Sequence, residues 1–149
     1  LTSRFNVPIY ANEIKLIFMQ KLTNKEEEIM HIIWKLEKAF VKDVLAEITA
    51  DQPHYNTLST IVRNLEDKGY VSYQAYGKTH QYFPIVSKEA YKKRFMSTAI
   101  ENYFNNSYKN VVSFFAKEEK ISIDELKEII ALIETKNNEE AESKKSQTL

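Results

Sequence analysis

The chain has 149 residues, 43% of them hydrophobic, enough for one ordinary domain or for a small domain with a helical appendage. Lys and Arg number 21 against 21 Asp and Glu, so no overall basic field favours a nucleic-acid partner, and zero cysteines exclude a disulfide framework or a thiolate metal site and fit a reducing compartment. No apolar run is long enough to enter and cross a bilayer, no cleavable signal is evident and cytoplasm is the default location, while two Gly and three Pro favour long helices over a turn-rich all-β fold.

Residues 1–21 are expected to be an N-terminal extension outside the fold. The leader LTSRFNVPIYANEIKLIF has no caps and no sustained period, and Met19 is a candidate native start; an arm that packs on the domain is the open alternative. Thr23 and Glu26 then make a T-x-x-E capping box, and Ile29, Met30, Ile33, Trp34 and Leu36 give a helical apolar face to about Glu37. Val41, Val44, Leu45 and Ile48 repeat that spacing before the polar break Thr49-Ala50-Asp51-Gln52-Pro53, and indicate a second helix.

The third stretch, YNTLSTIVRNLEDKG from Tyr55 to Gly69, places Leu58, Ile61, Val62 and Leu65 on one stripe of a helix starting near Asn56 or Thr57. Gly69 suits the left-handed position just past a helix end. The period then changes: YVSYQAY at 70–76 and HQYFPIV at 80–86 are aromatic or β-branched and roughly alternate, with Gly77-Lys78-Thr79 as turn chemistry between them. Three helices and a hairpin in this order are the parts of a winged helix-turn-helix, whose third helix lies in the major groove of DNA.

Ser87 can cap a helix from Lys88, and residues 88–117 contain no Gly or Pro. Phe95, Ile100, Tyr103, Phe104, Tyr108, Val111, Val112 and Phe115 recur there at helical spacing, along with Tyr91, as one long helix or two in tandem. A further capping box, Ser122 to Glu125, opens a helix with Leu126, Ile129, Ile130 and Ile133 on one face, and the polar tail 136–149 is expected to be disordered. The fold class is therefore mainly α with a small β-hairpin: a winged helix-turn-helix domain at 22–86 and a helical domain at 87–135. The second carries more aromatic surface than its helices can cover alone, so a second copy of the chain is the expected partner.

The face of the third helix opposite its apolar stripe offers Asn56, Thr57, Ser59, Thr60, Arg63 and Asn64, residue types that donate and accept along a groove edge. Arg63 can pair with a guanine or hold a phosphate, and the same face also suits a capped, solvated helix. Lys78 and Thr79 sit at the hairpin tip, where a wing reaches phosphates or the minor groove, and a solubilising turn has the same composition. Between Thr23 and Val86 seven basic residues face nine acids, net −2, so DNA binding requires Lys42, Arg63, Lys68 and Lys78 on one side, with the acids of the first helix turned away.

An enzyme is disfavoured. His31, His54 and His80 are 23 and 26 residues apart with no H-x-x-x-H pair, and there is no Gly-rich phosphate loop and no Ser/His/Asp arrangement, so no metal and no cofactor is expected. The rival reading is a winged-helix protein–protein interaction module without sequence-specific DNA binding, which the neutral charge would suit.

LTNKEEEIMHIIWKLEKAFVKDVLAEI followed by YNTLSTIVRNLEDKGYVSYQAYGKTHQYFPIVSKEAY resembles the penicillinase repressor family of bacterial transcription factors, over Leu22 to about Ile133. The most specific matches are E-x-x-x-M-x-x-x-W from Glu26 to Trp34, T-x-x-T-x-x-x-x-L-x-x-K-G from Thr57 to Gly69, and the wing ending in Tyr82. The resemblance implies a homodimeric repressor on a two-fold symmetric double-stranded DNA operator, with interlocked C-terminal helices. Carried over, Thr57, Thr60 and Arg63 are recognition-helix contacts and Lys78 a wing contact. It also implies a membrane-bound sensor metalloprotease as a partner, which in several members cuts the repressor at an Asn-Phe bond in the dimerisation helices. At the corresponding place this chain has Phe114-Phe115, and the cysteine cluster of the copper-responsive branch has no counterpart.

Overall fold

Eight elements follow one another in the computed structural model, which describes residues 19–148: α1 (Asn24–Leu36), α2 (Val41–Glu47), α3 (Tyr55–Asp67), β1 (Val71–Tyr76), β2 (Thr79–Pro84), α4 (Lys88–Phe104), α5 (Tyr108–Lys117) and α6 (Ile123–Gln147). The fold is mainly helical with one antiparallel hairpin, the arrangement of a winged helix-turn-helix followed by C-terminal helices. The leader at 1–18 lies outside the described residues.

Local chemistry sets most boundaries. The Thr23 hydroxyl accepts the Glu26 amide, and the Glu26 carboxylate accepts the Thr23 amide at 2.8 Å, so α1 starts where its capping box lies. At the end of α3 the Tyr70 amide reaches the Leu65 carbonyl at 2.9 Å and the Gly69 amide the Glu66 carbonyl at 2.8 Å. That pair of bonds needs a left-handed residue, and Gly69 supplies it with φ +80°. The hairpin is tighter than the sequence suggests: Tyr76 pairs with Thr79, leaving only Gly77 and Lys78 in the turn.

Unit one ends at Met96, and its core is built from Leu22, Ile29, Met30, Ile33, Val44, Leu58, Val62, Leu65, Tyr70 and Val71. Fully burying each Leu, Ile or Val of this set contributes roughly 1.5–3 kcal/mol. Two sets of contacts bear on the borders of this unit. Met19 is buried in the same core and the Gln20 carbonyl accepts the Tyr70 hydroxyl at 2.9 Å, so these two residues pack on the domain, in line with the arm alternative. The domain also runs past Val86: the Trp34 indole donates to the Val86 carbonyl at 2.8 Å, and Tyr91 on the first turn of α4 donates to the Glu27 carboxylate at 2.7 Å. Aromatic rings at helical spacing look alike in sequence whichever core they serve, so no spacing marks this border.

Ala39, between α1 and α2, exchanges both backbone hydrogen bonds with Tyr82, at 2.9 and 2.8 Å. This single bridge gives β2 a partner on its second side and fixes the hairpin against the helices. No sequence period announces a one-residue bridge.

Unit two begins at Ser97. The helix pattern of 88–117 is broken at Asn105 and Asn106, both with positive φ, and Ser107 caps α5 by accepting the Asn110 amide, so the tandem alternative is the one adopted. Ile100 is buried and Phe104 meets Phe114 with ring centroids 5.8 Å apart. Helix α6 begins at the Ser122–Glu125 box and continues to Gln147, through the segment expected to be disordered. The reason is propensity: 136–147 has no Gly or Pro, half of it is Glu or Lys, and its side chains are all exposed.

Candidate nucleic-acid interface

Helix α3 buries Leu58, Val62 and Leu65 completely, which turns the rest of its circumference outward. Along one side Tyr55, Ser59 and Arg63, four residues apart, share a stripe because successive fours return to nearly the same direction on a helix. That stripe forms one wall of a cleft of about 530 Å³. The hairpin supplies the opposite wall through Lys78, Thr79, His80 and Tyr82, and the start of α2 supplies Phe40, Val41 and Lys42. The lining thus brings together three cations, Lys42, Arg63 and Lys78, and contains no carboxylate.

Several contacts hold these side chains. Phe40 meets Tyr76 edge-on at 5.9 Å and carries the Lys42 ammonium 5.7 Å from its ring centroid, so one ring ties the wing to a cation. Tyr73 and His80 stack on the hairpin at 3.9 Å and 3°. Tyr82 stays a neutral phenol: burial pushes its hydroxyl above the ordinary value and Glu66 adds to the push, while Arg63 opposes it. The Arg63 Nε donates to the Ser59 carbonyl at 3.4 Å, a long bond, and the Arg63 side chain is exposed.

Of the site residues read from sequence, Ser59, Arg63, Lys42, Lys78 and Thr79 line this cleft, whereas Asn56, Thr57, Thr60 and Asn64 do not. Those four are all exposed on α3, and the Thr60 hydroxyl donates back to the Asn56 carbonyl at 3.0 Å. Lys68 is not on this side at all: it is paired with Glu26 at 2.6 Å, with both side chains largely out of water. Sequence reasoning missed Phe40, Tyr55 and Tyr82 as lining residues. Extending the Ser59–Arg63 stripe back by one turn would have found Tyr55; nothing local marks Phe40.

The second unit presents a different surface. Tyr103 is 82% exposed, and Tyr108, Val112, Phe115, Ile129, Ile130 and Ile133 are also exposed, as is Phe95 at the end of the first unit. Phe104, Val111 and Leu126 are half-buried, and Ile100 is already buried within its own chain. Phe114, Ile123 and Leu132 extend the exposed apolar set beyond the residues expected. Among the described residues no group of three or more His, Asp or Glu side chains is placed to hold a metal ion, and no helix is long and apolar enough to cross a membrane.

The sequence pattern of the penicillinase repressor family matches residues 22–135. Methicillin resistance regulatory protein MecI of Mammaliicoccus sciuri is 24% identical over 117 residues, covering 78% of this chain and 95% of the relative, and MecI of Staphylococcus aureus strain N315 gives the same figures. The penicillinase repressor of Bacillus licheniformis is 21% identical over 123 residues, covering 82% of this chain and 96% of that protein. All three relatives carry the names of regulators, none that of an enzyme.

Proposed function

Because the chain belongs to the penicillinase repressor family, we propose that it is a DNA-binding transcriptional repressor that acts as a homodimer on a two-fold symmetric operator. The observation that carries this reading is the cleft beside α3, where Lys42, Arg63 and Lys78 meet with no carboxylate among the lining residues. A chain with zero formal net charge has no global field to attract DNA, so its affinity rests on such local convergence. Helix α3 enters the major groove and the Gly77-Lys78 turn touches the backbone or the minor groove.

Dimerisation doubles those contacts. The exposed Tyr103, Tyr108, Val112, Ile130 and Ile133 supply an apolar surface that a second copy would cover. Half-sites then lie about one helical turn of DNA apart, or a multiple of it. Relief of repression through a membrane-bound sensor metalloprotease would require cutting in the C-terminal helices. The 114–115 bond lies inside α5, so that helix must first unwind for a protease to grip it as extended chain.

A gel shift with duplexes from the protein's own upstream region, at graded salt, tests the proposal. Specific retardation that is lost in Arg63→Ala and in Lys78→Ala supports it. Absence of any specific complex at low salt would favour a protein-binding winged helix instead.

A further inference from the structure

From the two sides of α3 we infer that Arg63 grips the sugar–phosphate backbone of the operator inside the cleft and reads no base, base reading being left to Asn56, Thr57, Thr60 and Asn64. This rests on the DNA-binding reading and assigns its parts. The stripe Tyr55, Ser59, Arg63 faces the hairpin across a cleft that also holds Lys42 and Lys78. A cleft is the wrong shape for the flat edge of a base pair still stacked in a duplex. It suits a protruding group, and the lining specifies which: three cations, with the Ser59 hydroxyl beside them, call for an anion with acceptor oxygens, while the Thr79 hydroxyl is already donated to the Tyr76 carbonyl at 2.8 Å. The rings of Phe40 and Tyr55 with the Val41 side chain add apolar wall, a match for a deoxyribose joined to that anion. One phosphodiester unit has both properties.

Position on the helix completes the argument. Asn56, Thr57, Thr60 and Asn64 lie outside the cleft, exposed; the two amides and the Thr57 hydroxyl can both donate and accept, and the Thr60 hydroxyl, which already donates to the Asn56 carbonyl at 3.0 Å, can accept. An amide side chain is the type that pairs in two-fold fashion with an adenine edge, and a threonine methyl packs on that of thymine. The helix is thereby divided lengthwise. The side toward the wing holds the backbone and fixes register, and the other side discriminates sequence.

The test uses the full-length protein and two duplexes: one selected by the wild-type chain from a randomised pool, and a scrambled duplex of the same composition. For Arg63→Ala the affinity for both duplexes should fall by a similar factor, about tenfold, and the slope of log affinity against log salt should become shallower by about one per protomer. Arg63→Lys should restore most of the loss, because a phosphate accepts a point charge where a bidentate guanine contact does not. Thr57→Val and Asn64→Ala should instead lower the preference for the selected duplex and leave the scrambled one unchanged. If Arg63→Ala abolishes preference at one base pair, or Arg63→Lys is no better than Arg63→Ala, the assignment is overturned. If the wild-type chain selects no preferred sequence, it is the repressor reading that fails; the salt slope of Arg63→Ala on scrambled DNA then still decides whether the cleft takes a phosphate, and an unchanged slope overturns it.

Discussion

Glu26 is the one charged residue buried among the described residues of the first unit, and its carboxylate answers two groups at once: the Lys68 ammonium at 2.6 Å and, at its own helix start, the Thr23 amide at 2.8 Å. Burial alone would raise its pKa, but the bonds from Lys68 and Thr23 outweigh that and hold it below the ordinary 4.5. A carboxylate depressed in the folded state adds stability above its unfolded value and loses it as pH falls through the folded one. Glu26→Gln should therefore cost about 2 kcal/mol near neutral pH, the range of a hydrogen bond to a charged partner, and the gap from wild type should close below pH 4.5. Urea midpoints at about pH 7 and about pH 3 check both statements. The residue scale also shows where sequence is informative. Thr23, Glu26, Ser122 and Glu125 announce their helix starts because a capping box is closed within four residues. The Lys68 partner is 42 residues away, and no spacing rule reaches that far.

At the scale of elements, α3 is defined at one end by Gly69 and along its length by its neighbours. A Cβ at Gly69 would meet nothing closer than the Met19 methyl at 4.0 Å, so Gly69→Ala is opposed only by the backbone, whose φ is +80°. The cost should be about 1–2 kcal/mol, visible as a lowered thermal midpoint with an unchanged spectrum of the folded state. A larger loss would mean that the end of α3 is packed more tightly than the structure describes. The apolar stripe of α3 was legible as period 3.6, and so was its polar face. That this face has two sides was not, because the distinction depends on where the hairpin lies, and the hairpin is placed by Ala39 and Tyr82, 43 positions apart. For the same reason the sequence does not show that α4 serves the first unit as well. Tyr91 and Tyr103 belong to one run of aromatic residues on the same helix, yet Tyr91 packs on the core of the first unit and Tyr103 is open to solvent.

For the whole molecule, neutrality and an exposed apolar surface divide the two tasks. The proposed DNA contact draws on cations gathered locally in the first unit, and the proposed pairing on the exposed rings and branched chains of the second. Tyr103→Glu should yield a monomer by sedimentation, because it puts a charge where a ring 82% exposed in the single chain would be covered by a partner. Unfolding of the first unit should be unaffected, and operator affinity should drop steeply through the loss of half the contacts; a mutant that stays dimeric would move the interface to other residues. The first unit is also clasped by α4. Arg94 donates to the Met19 carbonyl at 3.3 Å and Tyr91 to Glu27 at 2.7 Å, so residues just before α1 and within it are held by the helix that follows the hairpin. During synthesis these clasps cannot form until residue 94 has cleared the ribosome. The closing of the first unit therefore waits for the first two turns of α4 and is not complete when β2 has been made.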